Sequence, residues 1–265
     1  MNIFAQRING ILPNNGKPAA GFTLIELIVV IVLLSVLASI GTGFIVSTTE
    51  AYQRTQTRAL LVNTSRQALE RMTRQLRIAL PYSVRVTNGG NCLEFMPIAA
   101  GGNYFSPVPD DENLAAAAQT IDASPISIDF GAALHVTIGA MSAAEIYGAT
   151  AASREGYASG NITLSAAKRW RRNSINRRYY LLDNPQAFCV VGNELRFYDG
   201  IGIADANVNV AGAHSIIARN INSTAPFALA SGSANRNTAI TISLDFSSGG
   251  ETINYSQQVL IRNVP

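Results

Sequence analysis

The sequence predicts an α+β fold in which one long N-terminal helix packs on an antiparallel β-sheet domain. Three observations lead to this prediction. Residues 27–46 are twenty consecutive residues without a charge. Residues 52–80 carry an amphipathic helical pattern, and after Pro81 short apolar runs alternate with polar residues and are separated by turn residues.

We expect four segments along the chain: a leader at residues 1–21, a membrane-spanning half of the helix at 22–46, its amphipathic half at 47–80, and a β-rich globular domain at 82–265. The leader is polar and has no apolar core of its own. Its small residues, "PAAG", precede the apolar stretch, so a cut there leaves that stretch on the mature chain.

The first half of the helix has the length of a membrane span. Twenty residues at 1.5 Å each cover about 30 Å, the thickness of the hydrocarbon core of a bilayer. Glu26 lies at the edge of this run. A carboxylate costs up to about 2.5–3.5 kcal/mol at mid-bilayer, so its presence calls for a function.

The second half of the helix is predicted to bury one stripe. Gly41 and Gly43 lie near the middle of the predicted helix as points of low helix propensity, and Pro81 ends the pattern. The six arginines of this half lie mainly away from the stripe. The predicted stripe is Tyr52, Ala59, Val62, Leu69, Met72, Leu76 and Leu80.

Short strands are predicted after Pro81. Two hairpins are expected, one turning at residues 192–193 and one at residues 248–250. Residues 99–125 and 140–167 are rich in Ala, Gly and Ser and are expected to be loops. The other predicted strands are "SVRV", "CLEFMPI", "ISIDF", "LHVTI" and "YYLLD".

The net charge of +3 is unevenly distributed. Residues 1–21 carry two basic residues and no acid, and residues 22–80 carry six arginines against three glutamates. The remainder holds twelve basic and fourteen acidic residues. This asymmetry favours a segment near a membrane surface over a general nucleic-acid binder.

Cys92 and Cys189 are the only cysteines. If the domain is exported, a disulfide between them is the first hypothesis, and it would be worth about 4–5 kcal/mol at most in the chain-entropy model. Two separate buried thiols are the alternative. With His135 and His214 as the only histidines, the chain has too few soft ligands for a zinc site, and no metal is expected.

Two charged clusters are candidates for chemistry. "KRWRRNSINRR", residues 168–178, could bind phosphates and stack a base on Trp170. The favoured interpretation is a solvated loop or a contact with acidic neighbours. "DDE", residues 110–112, lacks the spacing of a calcium loop and is also expected to be a solvated loop. No catalytic or cofactor motif occurs, so neither an enzyme nor a cofactor is predicted.

The segment "GFTLIELIVVIVLLSVLA" closely resembles the N-terminus of type IV pilins and type II secretion pseudopilins. The resemblance implies that a membrane prepilin peptidase cuts between Gly21 and Phe22 and that Phe22 is then N-methylated. It also implies a role for Glu26 in assembly, because the carboxylate can neutralise the new α-amine of the same or a neighbouring subunit within a bundle of helices.

The same resemblance implies a structural protein of the inner membrane, with one span, a periplasmic C-terminal domain and a later place in a pilus. The implied partners are the prepilin peptidase, other minor and major pilins, the inner-membrane assembly platform and membrane lipid; nucleic acid is not expected. Cys189 lies well before the C-terminus, so the terminal disulfide-bounded loop of major pilins is absent.

Within this family, the chain resembles the large minor pilins. "RRYYLLDNPQAFCVVGNELRFYDG" is similar to the J-type minor pseudopilins of type II secretion, the W-type minor pilins and the O-type proteins of mannose-sensitive haemagglutinin (MSHA) pilus biogenesis. Length and the continuation "FIVSTTEAYQRTQTRALL" favour the O type. The expected role is priming or capping of a pilus. A secretion pseudopilin and a DNA-uptake minor pilin are the alternatives.

Overall fold

A computed structural model describes residues 21–124, 133–232 and 237–261. The predicted α+β class is confirmed: one long N-terminal helix precedes antiparallel β-sheets. The leader up to residue 20 and the strand predicted at "ISIDF" lie outside the described residues.

The helix, α1, spans Leu24–Leu76. The chain divides into two compact units, Met1–Gln53 and Arg54–Pro265, and α1 begins in the first and ends in the second. In the first unit, the apolar side chains of the helix are exposed, and this stretch is long and apolar enough to cross a membrane. The helix ends four residues before the expected boundary at residue 80, and Pro81 opens a short 3-10 turn, Pro81–Ser83.

The predicted stripe of α1 is wrong at its N-terminal end. Tyr52 and Ala59 are exposed and Val62 is only partly buried, whereas Leu61 is buried. The C-terminal part of the stripe is confirmed, since Leu69, Met72 and Leu76 are buried, as is Leu80 beyond the end of the helix. Small residues complete the buried face of the helix, which consists of Leu61, Ser65, Ala68, Leu69, Met72 and Leu76.

Fourteen strands lie in the described part of the chain. They are β1 (Arg85–Thr87), β2 (Cys92–Phe95), β3 (Ile98–Asn103), β4 (Ala118–Thr120), β5 (His135–Ile138), β6 (Arg154–Ser159), β7 (Thr163–Lys168), β8 (Arg178–Leu182), β9 (Gln186–Val191), β10 (Glu194–Tyr198), β11 (Ser215–Arg219), β12 (Phe227–Ala230), β13 (Thr238–Ser248) and β14 (Glu251–Ile261).

The strands form three sheets whose pairs are all antiparallel. The strand orders are β1-β2-β9-β10-β11, β12-β13-β14 and β3-β8-β5-β6-β7-β4. Short 3-10 turns at Asn88–Gly90 and Ala143–Glu145 lie between β1 and β2 and between β5 and β6 along the chain.

Two expected loops contain strands. β3 and β4 lie in residues 99–125, and β6 and β7 lie in residues 140–167, so the loop predictions there were wrong. These strands are rich in Ala, Gly, Ser and Thr, and they lack the alternation of large apolar and polar side chains that identifies a strand. Their cross-strand partners, which are distant in sequence for β3 and β4, decide their conformation.

Both predicted hairpins are confirmed. β9 and β10 pair across Gly192 and Asn193, and β13 and β14 pair over eleven residue pairs without a bulge. The second hairpin turns at Gly249 and Gly250, which both have positive φ, at 57° and 80°. A two-residue turn with two positive φ values matches the right-handed twist of the strands, and glycine adopts these values without strain.

The main core joins the buried face of α1 to the first two sheets. Leu61, Leu69, Met72 and Leu76 pack with strand residues of both, including Phe95, Phe188, Ile240 and Phe246. The six-stranded sheet has a core of its own that includes Trp170, Val136 and Leu181. The described part of residues 54–261 therefore has two main buried apolar clusters, of which the first includes residues of α1 and the second does not.

Candidate processing and assembly site

The bond between Gly21 and Phe22 lies outside regular structure. α1 begins at Leu24, and residues 21–23 are neither helical nor in a strand. Phe22 is 78% exposed, and apart from its chain neighbours no described residue lies within 4 Å of the position a Cβ on Gly21 would take. The backbone here is therefore accessible and is not held by helical hydrogen bonds.

Thr23 caps the N-terminus of α1. Its Oγ1 accepts a hydrogen bond from the backbone N–H of Glu26 at 3.3 Å, and its carbonyl accepts one from the N–H of Leu27 at 3.2 Å. This contact satisfies one of the N–H groups that a helix start leaves unpaired. The Thr-x-x-Glu spacing is the pattern of a capping box, a signal in the sequence that the sequence analysis did not use.

Glu26 lies in the first turn of α1 and is exposed. Among the described residues of this single chain, none forms an ion pair with it. A negative charge in the first turn interacts favourably with the helix dipole. The position leaves the carboxylate open to a cation that approaches the helix N-terminus from this chain or another.

Hydroxyl groups in the apolar half of α1, and just beyond its end at residue 46, are satisfied within the helix. Ser35, Thr42, Ser47, Thr48 and Thr49 each donate to a backbone carbonyl three or four residues earlier, at 2.7 to 3.0 Å. Such bonds remove the need for water, so these polar side chains are compatible with a lipid environment.

Cys92 and Cys189 form a disulfide. They lie directly opposite each other on the neighbouring strands β2 and β9, and both side chains are fully buried. Ala187, Tyr198 and Val208 complete a small apolar cluster around the bond. The bond closes a loop that spans 97 positions and contains the whole six-stranded sheet.

The basic segment 168–178 is tied to the protein surface instead of lying free in solvent. Arg172 binds the carboxylate of Glu145 with two hydrogen bonds of 2.6 and 2.9 Å, and it also donates to the carbonyl of Gly139. Arg169 donates to the carbonyls of Leu114 and Ala115. The expected contact with acidic neighbours is confirmed by the pair with Glu145, a partner that the sequence analysis did not identify.

The "DDE" cluster meets the basic segment. Asp111 pairs with Arg171 at 3.4 Å, and Asp110 accepts hydrogen bonds from the backbone N–H groups of Glu112, Asn113 and Asn173. These bonds, with the burial that opposes them, leave the pKa of Asp110 lowered. Asp110 is buried, so the prediction of a solvated loop was wrong at this residue.

Trp170 has no exposed face for a base. Its side chain is 1% exposed and packs in the core of the six-stranded sheet. The backbone N–H of Trp170 donates to the carbonyl of Pro109 at 2.8 Å, which joins the basic and acidic segments through their backbones. A phosphate-and-base site is therefore not favoured here, because the indole is buried and Arg169, Arg171 and Arg172 bind carboxylates or backbone carbonyls.

The two histidines have structural surroundings. His135 contacts Asn184 and Arg154 at 3.3 and 3.4 Å, and burial together with the nearby Arg154 lowers its pKa. His214 contacts the carbonyl of Gly212 at 2.9 Å. In the part of the chain that the structure covers, no three His, Cys, Asp or Glu side chains group as metal ligands.

Residues 16–42 match the model of the prokaryotic N-terminal methylation motif. The matched range includes Gly21, Phe22 and Glu26. No curated protein and no solved structure matches the chain significantly. The motif supports a type IV pilin-like or pseudopilin protein, a class whose members are processed by a prepilin peptidase and assemble with other pilins. Motif and apolar helix together are consistent with membrane anchoring and a place in a pilus.

Proposed function

We propose that this protein is a minor pilin that acts structurally, not as an enzyme, in the biogenesis of an MSHA-type type IV pilus. It would prime or cap assembly together with other minor pilins. The observation that carries the proposal is the methylation motif at residues 16–42, which is followed by a membrane-length apolar helix and a β-rich unit.

Processing supplies the charge that Glu26 would neutralise. A cut between Gly21 and Phe22 leaves a cationic α-amine one residue before the Thr23 cap, at the positive end of the helix dipole. In a bundle of helices within lipid, that amine needs a carboxylate. Glu26 lies in the first turn, without a partner among the described residues of its own chain.

The domain is proposed to lie in the periplasm, with α1 anchored in the inner membrane. The buried disulfide supports this location, because such bonds persist in the oxidising periplasm and are rare in the cytosol. The assembly platform and membrane lipid would then contact the N-terminal half of α1.

A J-type pseudopilin of a type II secretion system is the second candidate, since the segment around Cys189 resembles both groups. The two roles differ in what a deletion strain loses, which is pili in one case and secreted cargo in the other. A DNA-uptake role is less well supported, because its proposed site has a buried Trp170 and arginines that bind Glu145, Asp111 and backbone carbonyls.

Mass spectrometry of the mature N-terminus tests the proposal. We expect the first peptide to begin with N-methylated Phe22, and we expect Gly21→Val to block the cut because the peptidase acts at this glycine. Gly41→Val is the matched control, since nothing lies within 4 Å of a Cβ at either position. An intact Met1, or a cut beyond residue 46, would contradict the assignment to the pilin class.

The phenotype of a strain that lacks the gene distinguishes the MSHA-type minor pilin role from the secretion pseudopilin role. Loss of MSHA-type pili with normal secretion is expected, and the mature protein should co-purify with other minor pilins. Normal pili together with failed secretion of a folded cargo would replace the proposal with the pseudopilin role.

A further inference from the structure

β14 is an open edge strand of unusual length. It lies at the end of the three-stranded sheet, and β13 is its only partner among the described strands, over eleven residue pairs. Its sequence, "ETINYSQQVLI", contains no proline and no lysine, and its register has no bulge. Natural edge strands are normally protected by one of these features, so β14 has the properties of a template for another strand.

The hairpin register identifies the backbone groups that point outward. Ser248 and Glu251 flank the two-residue turn and therefore exchange both of their hydrogen bonds. Every second residue of β14, starting from Glu251, then forms backbone hydrogen bonds with β13. The intervening residues direct their N–H and C=O groups away from β13, towards the open edge. The outward residues are Thr252, Asn254, Ser256, Gln258 and Leu260, and no backbone bond joins them to another described strand.

A groove of about 630 Å³ runs between this edge and the C-terminal part of α1. Tyr255, Ser256 and Gln257 form its strand side. Leu69 and Thr73 of α1 lie in its lining, and the Oγ1 of Thr73 is buried without a hydrogen-bond partner in the described chain. An added strand would thus find free backbone groups on the β14 side and mainly polar and charged side chains of α1 on the other side.

The groove is positively charged. Arg66, Arg74 and Arg77 line it, with Glu70 as the single acid. Arg66 donates to the hydroxyl of Tyr255 at 3.2 Å. None of the three arginines forms an ion pair with a residue in the described ranges.

We propose that β14 and this groove bind an extended acidic segment of a different protein by strand addition. The main chain of the segment would pair with the outward groups around Ser256, and its carboxylates would contact Arg66, Arg74 and Arg77. Main-chain pairing supplies affinity in this mode, and alternate side chains supply selectivity.

Pairing of two copies through β14 is disfavoured by charge. A two-fold arrangement would bring two sets of three arginines towards the same interface, and like charges in an interface are repulsive. The strand itself carries only Glu251 as a compensating acid, and Glu251 already lies 4.0 Å from Arg58. The complement of this site is therefore a foreign acidic strand.

The test measures binding of labelled ten-residue peptides to the full mature chain in detergent micelles by fluorescence anisotropy. The first peptide alternates Glu with Val, the second replaces Glu with Lys, and the third keeps Glu but carries N-methyl groups on alternate backbone nitrogens. We expect the first to bind at least about tenfold more tightly than either of the others.

Three variants locate the site. Arg74→Glu combined with Arg77→Glu, and separately Ser256→Pro, should each weaken the first peptide about tenfold or more. Proline at Ser256 removes an outward N–H but no bond to β13, and a thermal melt checks its fold. Arg71→Glu is the matched control: Arg71 lies on the same helix over the ring of Phe197, and binding should stay within about twofold.

Equal binding of the acidic and lysine peptides, or of the methylated and unmethylated acidic peptides, would overturn the proposal. So would the absence of binding, or a dimer that Ser256→Pro abolishes. The methylated peptide requires no protein variant, so this comparison remains decisive if Ser256→Pro fails to fold.

Discussion

At the scale of the residue, Glu26 and Thr23 together define the start of α1. Thr23 supplies the cap, and Glu26 lies one turn from Phe22 with a carboxylate that has no ion-pair partner among the described residues. Neither side chain stabilises the β-rich unit, because both lie in the separate unit Met1–Gln53. Substitutions at these positions should therefore change assembly and leave the folding of residues 54–265 unaltered.

Glu26→Val should be cut and inserted normally but fail to assemble. Twenty uncharged residues drive insertion, and the substitution removes a charge from the edge of the span. In the assembled bundle, a cationic α-amine without its carboxylate makes the free energy of association less favourable by about 3 kcal/mol. This weakens association more than about a hundredfold. Pull-down of other minor pilins from a strain that carries only this variant measures the effect.

Glu26→Asp is the matched control, because it keeps the charge and should retain part of the assembly. Normal pilus numbers and normal co-purification in the Glu26→Val strain would show that the carboxylate has another purpose.

At the scale of the element, tertiary packing stabilises the C-terminal half of α1. Its buried face contains only Leu61, Ser65, Ala68, Leu69, Met72 and Leu76, and neighbouring apolar residues such as Leu60 remain exposed. The phase of the buried face, not the hydrophobicity of each residue, decides which substitutions destabilise the protein.

Met72→Ala should lower the free energy of unfolding by about 2–5 kcal/mol, because it leaves a cavity where the side chain is fully buried. Leu60→Ala, twelve residues earlier on the same helix and 61% exposed, should change it by less than about 0.5 kcal/mol. Urea unfolding of both variants measures the difference. Equal effects would mean that the buried face of α1 is assigned incorrectly.

At the scale of the whole molecule, long-range links hold the β-rich unit together. The disulfide joins β2 to β9 and closes a loop of the chain that contains the six-stranded sheet. The basic segment 168–178 binds the turn Ala143–Glu145 and the "DDE" cluster. One link is covalent and depends on the redox state; the other is ionic and depends on pH.

Removal of the disulfide by Cys92→Ala with Cys189→Ala should lower the free energy of unfolding by about 2–5 kcal/mol, since the bond constrains a loop spanning 97 positions in the unfolded chain. Thermal unfolding with and without a reductant measures this. The reductant should destabilise the parent protein and leave the variant unchanged. A parent that is insensitive to complete reduction would contradict the expected contribution.

Acid should weaken the link at Glu145. Burial by itself raises the pKa of this carboxyl, but hydrogen bonds from Arg172, from the Met141 N–H and from Ser153 outweigh it, so the pKa is lowered. The stabilisation is therefore present above the unfolded pKa of about 4.3 and is lost as the pH falls through the lower folded value.

Urea midpoints from pH 7 to pH 3 test this dependence. Glu145→Gln should lower stability at pH 7 by about 1–3 kcal/mol and flatten the decline below pH 4.5. Glu112→Gln on the nearby surface should alter stability at pH 7 by less than about 0.5 kcal/mol. An unchanged acid slope in Glu145→Gln would exclude this carboxyl as its source.

The sequence by itself determined the features that depend on neighbouring residues. The membrane-length run, the helix that ends before Pro81, the hairpins at Gly192 and Gly249 and the α+β class all follow from local periodicity and turn chemistry. The methylation motif is equally local, so the class of protein could be predicted before any contact was known.

Tertiary structure alone decided the features that depend on partners distant in sequence. The strands β3 and β4 have little intrinsic pattern and pair with strands far away in the sequence. Trp170 is buried because it packs in the core of the six-stranded sheet, and its backbone N–H bonds to the carbonyl of Pro109. The pairing of Arg172 with Glu145 and the open edge at β14 arise in the same way. The local sequence pattern predicts which secondary structure a residue can adopt, whereas burial and strand register determine which residues it contacts.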